Sequence, residues 1–242
     1  MKDFSIYQKE IENRWMTVKN NIISTVKKCN RNYDDITVIA VAKTKPLPLV
    51  ELSLNAGIQN IGENYVQELL EKHNQIDYSK YSPKWHFIGH LQRNKVKYII
   101  NFVSLIHSVD SFLLAKEISR HAEKINRNID VLIQINTSAE ESKFGCDPND
   151  TLKLFEQVSN LNNISIKGLM TIGSFSNDES IIRREFKLLH IKFDEIKKEF
   201  PESNINHLSM GMSGDYQIAI EEGATLVRIG TNIFGERIYK NE

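Results

Sequence analysis

Cysteine is nearly missing from this sequence of 242 residues, with only Cys29 and Cys146 present. They form no C-x-x-C pair, and two thiols are no disulfide framework, so two reduced thiols in a cytoplasmic protein are expected. Net charge is missing too: 31 basic side chains balance 31 acidic ones. That excludes a global field drawing in nucleic acid or an anionic membrane, but leaves room for a local basic pocket. No apolar run approaches the ~18 residues of a membrane span. The first residues, MKDFSIYQKEIENRW, are charged and amphipathic and lack the apolar stretch of a signal peptide. No linker or Pro/Ser-rich tract divides the chain, so residues 1–242 are expected to form one domain. No metal site is expected.

What is present is ordinary in amount and regular in order. Hydrophobic residues make up 40% and charged residues 26%, as in soluble globular proteins. Residues 3–30 predict a helix, with Ile6, Ile11, Trp15, Val18, Ile22, Ile23 and Val26 recurring at spacings near three and four. Eight short runs rich in Val and Ile follow: 37–42, 58–62, 85–89, 104–109, 130–136, 166–172, 205–210 and 225–230. Helical patterns separate them, such as EFKLLHIKFDEIKKEF with Phe186, Leu189, Phe193, Ile196 and Phe200 on one face. This alternation predicts a parallel sheet of βα units, and eight strands close a (β/α)8 barrel of the TIM type. A doubly wound open sheet fits less well. Its first strand leads into a glycine-rich phosphate loop, and here the first strand ends in KTKP.

In such a barrel the functional face lies at the C-terminal ends of the strands. Strand side chains alternate, so in TLVRIGTN either Val227 and Ile229 or Leu226 and Arg228 face the helices. The apolar pair suits the helices, which turns Arg228 inward, toward an anion, an acceptor or a structural carboxylate. The loops after strands seven and eight, MGMSGD and IGTN, place Ser213 and Gly230-Thr231 where barrels of this type frequently bind phosphate. Capping of helices is the plainer role for both hydroxyls. Lys43 ends strand one, with Lys45 two residues on and Pro46 fixing the exit. Taken alone, KTK also reads as two solvated loop lysines. Taken together, an inward lysine, a phosphate cradle and an inward arginine suit a phosphorylated aldehyde, and pyridoxal 5′-phosphate (PLP) is one. An arginine at its ring nitrogen only donates, so it would leave that nitrogen neutral and the cofactor a weak electron sink.

The blocks AVAKTKP, GENYVQE, WHFIGHLQRNK, VLIQINTSAEESKFG, GLMTIG, LSMGMSGD and VRIGTNIFGER closely resemble the pyridoxal phosphate homeostasis protein family, from about Ile36 to Arg237. The resemblance implies a barrel like the N-terminal domain of alanine racemase. It implies that Lys43 forms a Schiff base with PLP, and that Ser213, Gly230 and Thr231 hold the phosphate. Arg228 would face the ring nitrogen, and Asn64 and Met170 would line the pocket. Two positions depart from the family pattern: Ala42, where serine is frequent, and Gly214, where aspartate is common. His90 stands in a family-like block as a titratable group at the mouth or as a loop hydrogen-bonder.

Two function classes follow. A carrier needs reversible Schiff-base formation and a phosphate grip. The resemblance implies this role, in PLP (vitamin B6) homeostasis and supply; PLP-dependent apoenzymes as recipients and no catalytic residue are expected with it. Without the covering second domain of alanine racemase-like enzymes one reason to dimerise is gone, so a monomer is expected. The alternative is a PLP-dependent amino-acid racemase or decarboxylase of weak activity. Alanine racemase-like enzymes add a second domain that supplies a tyrosine, and only about a dozen residues follow strand eight here. Tyr65 and Tyr216 would be the candidate acid/base groups. A phosphate-sugar aldolase would keep Lys43 but need no arginine at a ring nitrogen.

Overall fold

The computed structural model describes residues 5–138, 140 and 143–236. Eight parallel strands close a barrel in sequence order. They are β1 (Thr37–Val41), β2 (Asn60–Glu63), β3 (Lys84–Phe87), β4 (Leu105–Val109), β5 (Ile129–Gln134), β6 (Ile164–Met170), β7 (His207–Ser209) and β8 (Leu226–Ile229). Each falls within or beside an apolar run expected from the sequence. The last strand pairs with the first, Ile39 opposite Arg228. The helices are α1 (Gln8–Lys28), α2 (Leu47–Asn55), α3 (Val66–Gln75), α4 (Val96–Ile99), α5 (Phe112–Lys124), α6 (Thr151–Ser159), α7 (Glu179–Glu199), α8 (Tyr216–Glu221) and α9 (Thr231–Phe234).

Alternation along the strands divides the core in two. Ile39, Leu105, Leu132, Met170 and Leu226 form a cluster of their own inside the barrel. Val38, Val131, Val227 and Ile229 belong to the larger cluster between barrel and helices. The parity expected for β8 is therefore observed: Leu226 and Arg228 face inward.

The helix after β8 has four residues, too few to cover the seam where β8 meets β1. The N-terminal helix takes its place. Helix α1 packs on α8, α9 and α2 through Ile11, Val18, Ile22 and Val26, all buried. Asn21 donates to the Tyr216 hydroxyl (3.0 Å) and Arg31 to the Ile220 carbonyl (2.7 Å). Two boundaries differ from expectation. The helix ends at Lys28, before Asn30 turns left-handed (φ 54°). Ile6 lies in a 3-10 turn ahead of the helix and is exposed, so it is not part of the buried face. Residues 3 and 4 of the expected helix lie outside the described residues. Both cysteines are unpaired and half-buried, and no helix among the described residues is long and apolar enough to cross a membrane.

Candidate functional site

Strand β1 ends at the ribbon Ala42-Lys43-Thr44-Lys45. Lys43 follows Ile39 in parity, on the barrel-lining face. The two peptide groups that flank it are held by one helix. Lys72 of α3 donates from Nζ to the Ala42 carbonyl (2.8 Å), and Glu68, one helical turn earlier, accepts the Thr44 amide at Oε2 (2.7 Å). Thr44 adopts φ 63°, a left-handed conformation unfavourable for a β-branched residue. The clamp therefore holds a conformation the free chain would rarely visit. Lys72 is itself fixed by an ion pair with the buried Glu63. Burial pushes the Glu63 carboxyl up, and the Lys72 ammonium opposes that. Lys45 departs from the reading of KTK as two solvated loop lysines. Its ammonium is buried and donates to the carbonyls of Gly235 (3.0 Å) and Glu236 (2.8 Å). There it fastens the segment after α9.

Across the mouth, the loops after β7 and β8 are joined at Ser213. Its hydroxyl oxygen accepts from the Gly230 amide (3.1 Å) and the Asn232 amide (3.4 Å), and Asn232 Nδ2 returns a bond to the Ser213 carbonyl (2.9 Å). Two backbone N–H groups thus converge on one oxygen, the arrangement an anion's oxygens require. Gly211 shapes this loop. It adopts φ 88°, and a Cβ there would lie 2.5 Å from that of Ala219. Thr231 opens α9 and is exposed. Below the loops, Arg228 is 4% exposed and donates from Nη1 to Ser209 Oγ and from Nη2 to the Thr171 carbonyl, both at 2.7 Å. Both partners are neutral. Burial lowers the proton affinity of the guanidinium and the charge of Asp215 supports it; the group stays cationic at neutral pH. Among the described residues, three of its five N–H donors remain for another acceptor.

The other expected residues separate. Asn64 follows β2, and its Oδ1 is buried without a hydrogen-bond partner among the described residues. Gly89 passes so close that a Cβ would stand 2.2 Å from the Asn64 carbonyl oxygen. Met170 has no exposed surface and packs inside the barrel, so it forms the floor under the mouth. His90 stacks on Phe144 (3.7 Å) with Nδ1 3.6 Å from Asp110. A cavity of about 340 Å³ opens beside it, lined among others by Asn64, Tyr65, Gln67 and Lys95. It lies on the β2–β3 side of the mouth, and of the expected cofactor-binding residues it includes only Asn64. Tyr65 is exposed, whereas Tyr216 is buried with its hydroxyl against α1. Tyr216 is therefore not a mouth residue.

Comparison with known proteins places this geometry. The family model for the N-terminal domain of alanine racemase matches residues 17–238. The pyridoxal phosphate homeostasis protein of Aquifex aeolicus is 41% identical over 93% of this chain and 98% of its own length. The human protein of the same name is 41% identical over 85% of this chain and 78% of its own. This chain belongs to the pyridoxal phosphate homeostasis protein family. A solved relative, PipY of Synechococcus elongatus with PLP bound, is 30% identical and superposes with a TM-score of 0.82 over 93% of this chain and all of that one. Alanine racemase of Clostridium difficile, 14% identical with a TM-score of 0.70, shares the fold; this chain covers 61% of it.

One feature of this homeostasis-family barrel escaped the sequence reading. His107 Nδ1 lies 2.9 Å from Ser209 Oγ, His107 Nε2 lies 3.0 Å from His86 Nδ1, and His86 Nε2 lies 3.0 Å from Asn60 Oδ1. The signal was available in part. His86 sits between Trp85 and Phe87, and Ser209 between Leu208 and Met210, the pattern that turned Arg228 inward; His107 lies between Ile106 and Ser108 and lacks it. Burial pulls His86 down to about 3 and His107 well below the usual histidine range. Both are neutral in the fold, while the unfolded chain takes up protons below about pH 6.5. Stability contributed by each is complete above that pH and falls as pH drops below it. For His86 the loss at pH 5 is about 2 kcal/mol relative to pH 7. Urea unfolding at the two pH values measures it, and His86→Gln is expected to remove that part of the pH dependence.

Proposed function

We propose that this chain binds PLP at the barrel mouth, holds it reversibly through Lys43 as a Schiff base, and acts as a carrier in PLP homeostasis and supply. The observation that carries the reading is the convergence of the Gly230 and Asn232 amides on Ser213, on the same mouth as Lys43 and the inward Arg228. The unpartnered Asn64 Oδ1 also suits a polar ligand. The bound cofactor would supply an aldehyde. Its condensation with the Lys43 amine forms C=N, breaks C=O and releases water, with no oxidant or reductant. Ser213, Gly230 and Thr231 would hold the phosphate, Arg228 would donate to the ring nitrogen, and Met170 would floor the pocket. PLP bound to the PipY relative supports the cofactor, and the homeostasis names of the relatives favour a carrier over an enzyme.

The arginine favours the same choice. A cationic donor cannot accept a proton from the ring nitrogen or stabilise it as a cation, so carbanion chemistry gains little. Racemase or decarboxylase activity would also need acid/base groups on both faces of a substrate, and Tyr216 faces α1 instead.

Absorbance titration with PLP tests the reading. A visible band is expected, and borohydride should then fix one pyridoxyl group on a lysine. A protein that stays colourless would overturn the cofactor assignment. Steady turnover of an amino acid by the loaded protein would overturn the carrier role. Ser213→Ala removes the oxygen that joins the two loops and is expected to weaken PLP binding roughly tenfold, read from the same titration.

A further inference from the structure

The polar groups inside the barrel are linked into one line. From Arg228 on β8 it passes to Ser209 on β7, His107 on β4, His86 on β3 and Asn60 at the start of β2. Its direction follows from elementary donor rules. Arg228 can only donate, so Ser209 Oγ must accept from it. At the other end Asn60 Oδ1 can only accept, so His86 Nε2 carries a proton. A neutral His86 then accepts at Nδ1, which requires the proton of His107 on Nε2. His107 accepts at Nδ1, and the only proton left for that contact is the Ser209 hydroxyl's. Every bond points from the mouth toward the N-terminal end of β2, and each tautomer is fixed by its neighbours.

Resting on the reading that Arg228 meets the ring nitrogen of PLP, we propose that Ser209, His107, His86 and Asn60 are positioning residues. They form a one-directional hydrogen-bond relay that locks the Arg228 guanidinium and keeps its remaining donors turned to a neutral acceptor. The alternative device, a buried carboxylate paired with Arg228, would draw the guanidinium's strongest donors to itself. The relay fixes the side chain with an oxygen that carries no charge, leaving its field to the mouth. The aligned bonds polarise one another. Ligation at Arg228 is therefore felt at His107, which stands behind Ser209 and does not reach the mouth loops.

The test uses pyridoxine 5′-phosphate, which keeps the ring nitrogen and phosphate of PLP but has no aldehyde for Lys43. Nitrogen NMR of the unliganded protein at pH 7 should show His86 and His107 both neutral and both protonated at Nε2. Adding pyridoxine 5′-phosphate should shift the His107 Nδ1 signal. Ser209→Ala should abolish that shift and weaken the ligand roughly tenfold, as expected for loss of a charge-assisted hydrogen bond. Asn60→Leu, at the far end of the relay, should weaken the ligand about threefold by releasing the His86 tautomer. It serves as the second variant if Ser209→Ala does not fold. A proton on His107 Nδ1, or unchanged affinity in a folded Ser209→Ala or Asn60→Leu protein, would overturn the relay. Wild-type protein that binds neither pyridoxine 5′-phosphate nor PLP would instead sink the cofactor reading, and the relay's role with it.

Discussion

Lys43→Ala protein mixed with PLP is expected to develop no visible band and to leave no pyridoxyl group on the chain after borohydride. Pyridoxine 5′-phosphate binding should be nearly unchanged. The split follows from the geometry. Lys43 supplies only the amine, while the loops around Ser213 and the buried Arg228 supply the grip on phosphate and ring. Lys45→Ala makes the contrast. Its ammonium is turned to the carbonyls of Gly235 and Glu236, so the band should survive while stability falls by about 1–3 kcal/mol through the loss of charged hydrogen bonds. A band that survives in Lys43→Ala and vanishes in Lys45→Ala would reassign the nucleophile.

Lys72→Met should be the most damaging substitution away from the mouth. It leaves Glu63, which is 0% exposed, without its ion-pair partner. Removing one member of a buried pair costs about 3–5 kcal/mol. Denaturant midpoints give the value. The loss should grow as pH rises past about 7: burial holds the carboxyl at about 7 even with Lys72 present, and without Lys72 it rises further, so above that pH only the wild-type fold keeps Glu63 ionised. The double variant Glu63→Leu/Lys72→Met removes both charges and should return to within about 1 kcal/mol of wild type. It would still lack the donor to the Ala42 carbonyl. Band formation with PLP should therefore stay slow in the double variant while pyridoxine 5′-phosphate binds normally. If the rate recovers along with stability, α3 does not position Lys43.

The strands were legible because most lie in short apolar runs rich in Val and Ile, although β3 and β7 contain neither residue, and strand parity alone turned Arg228 inward. The two phosphate-loop candidates were legible as small residues in the loops where this fold places such sites. Long-range partners were not. Nothing near Lys45 announces that its acceptors lie 190 and 191 residues away, and KTK looks the same whether its second lysine faces solvent or the segment after α9. The clamp on Lys43 depends on Glu68 and Lys72, which read locally as charges on the exposed face of an amphipathic helix. His86 carried the parity signal and His107, followed by Ser108, did not; a histidine inside a strand draws attention only when its neighbours across the barrel are known.

The seat of α1 has a consequence for how the chain is made. The helix leaves the ribosome well before its partners α8 and α9: Asn21 and Tyr216 are 195 residues apart. Most of its apolar stripe must wait, uncovered, while the barrel strands between them are made. Contacts of such sequence separation form late and slowly, and exposed apolar faces in the interval invite aggregation. Docking of α1 over the β8–β1 seam is thus expected to be the closing event of folding, and a nascent chain stalled before β7 is the species most in need of a chaperone.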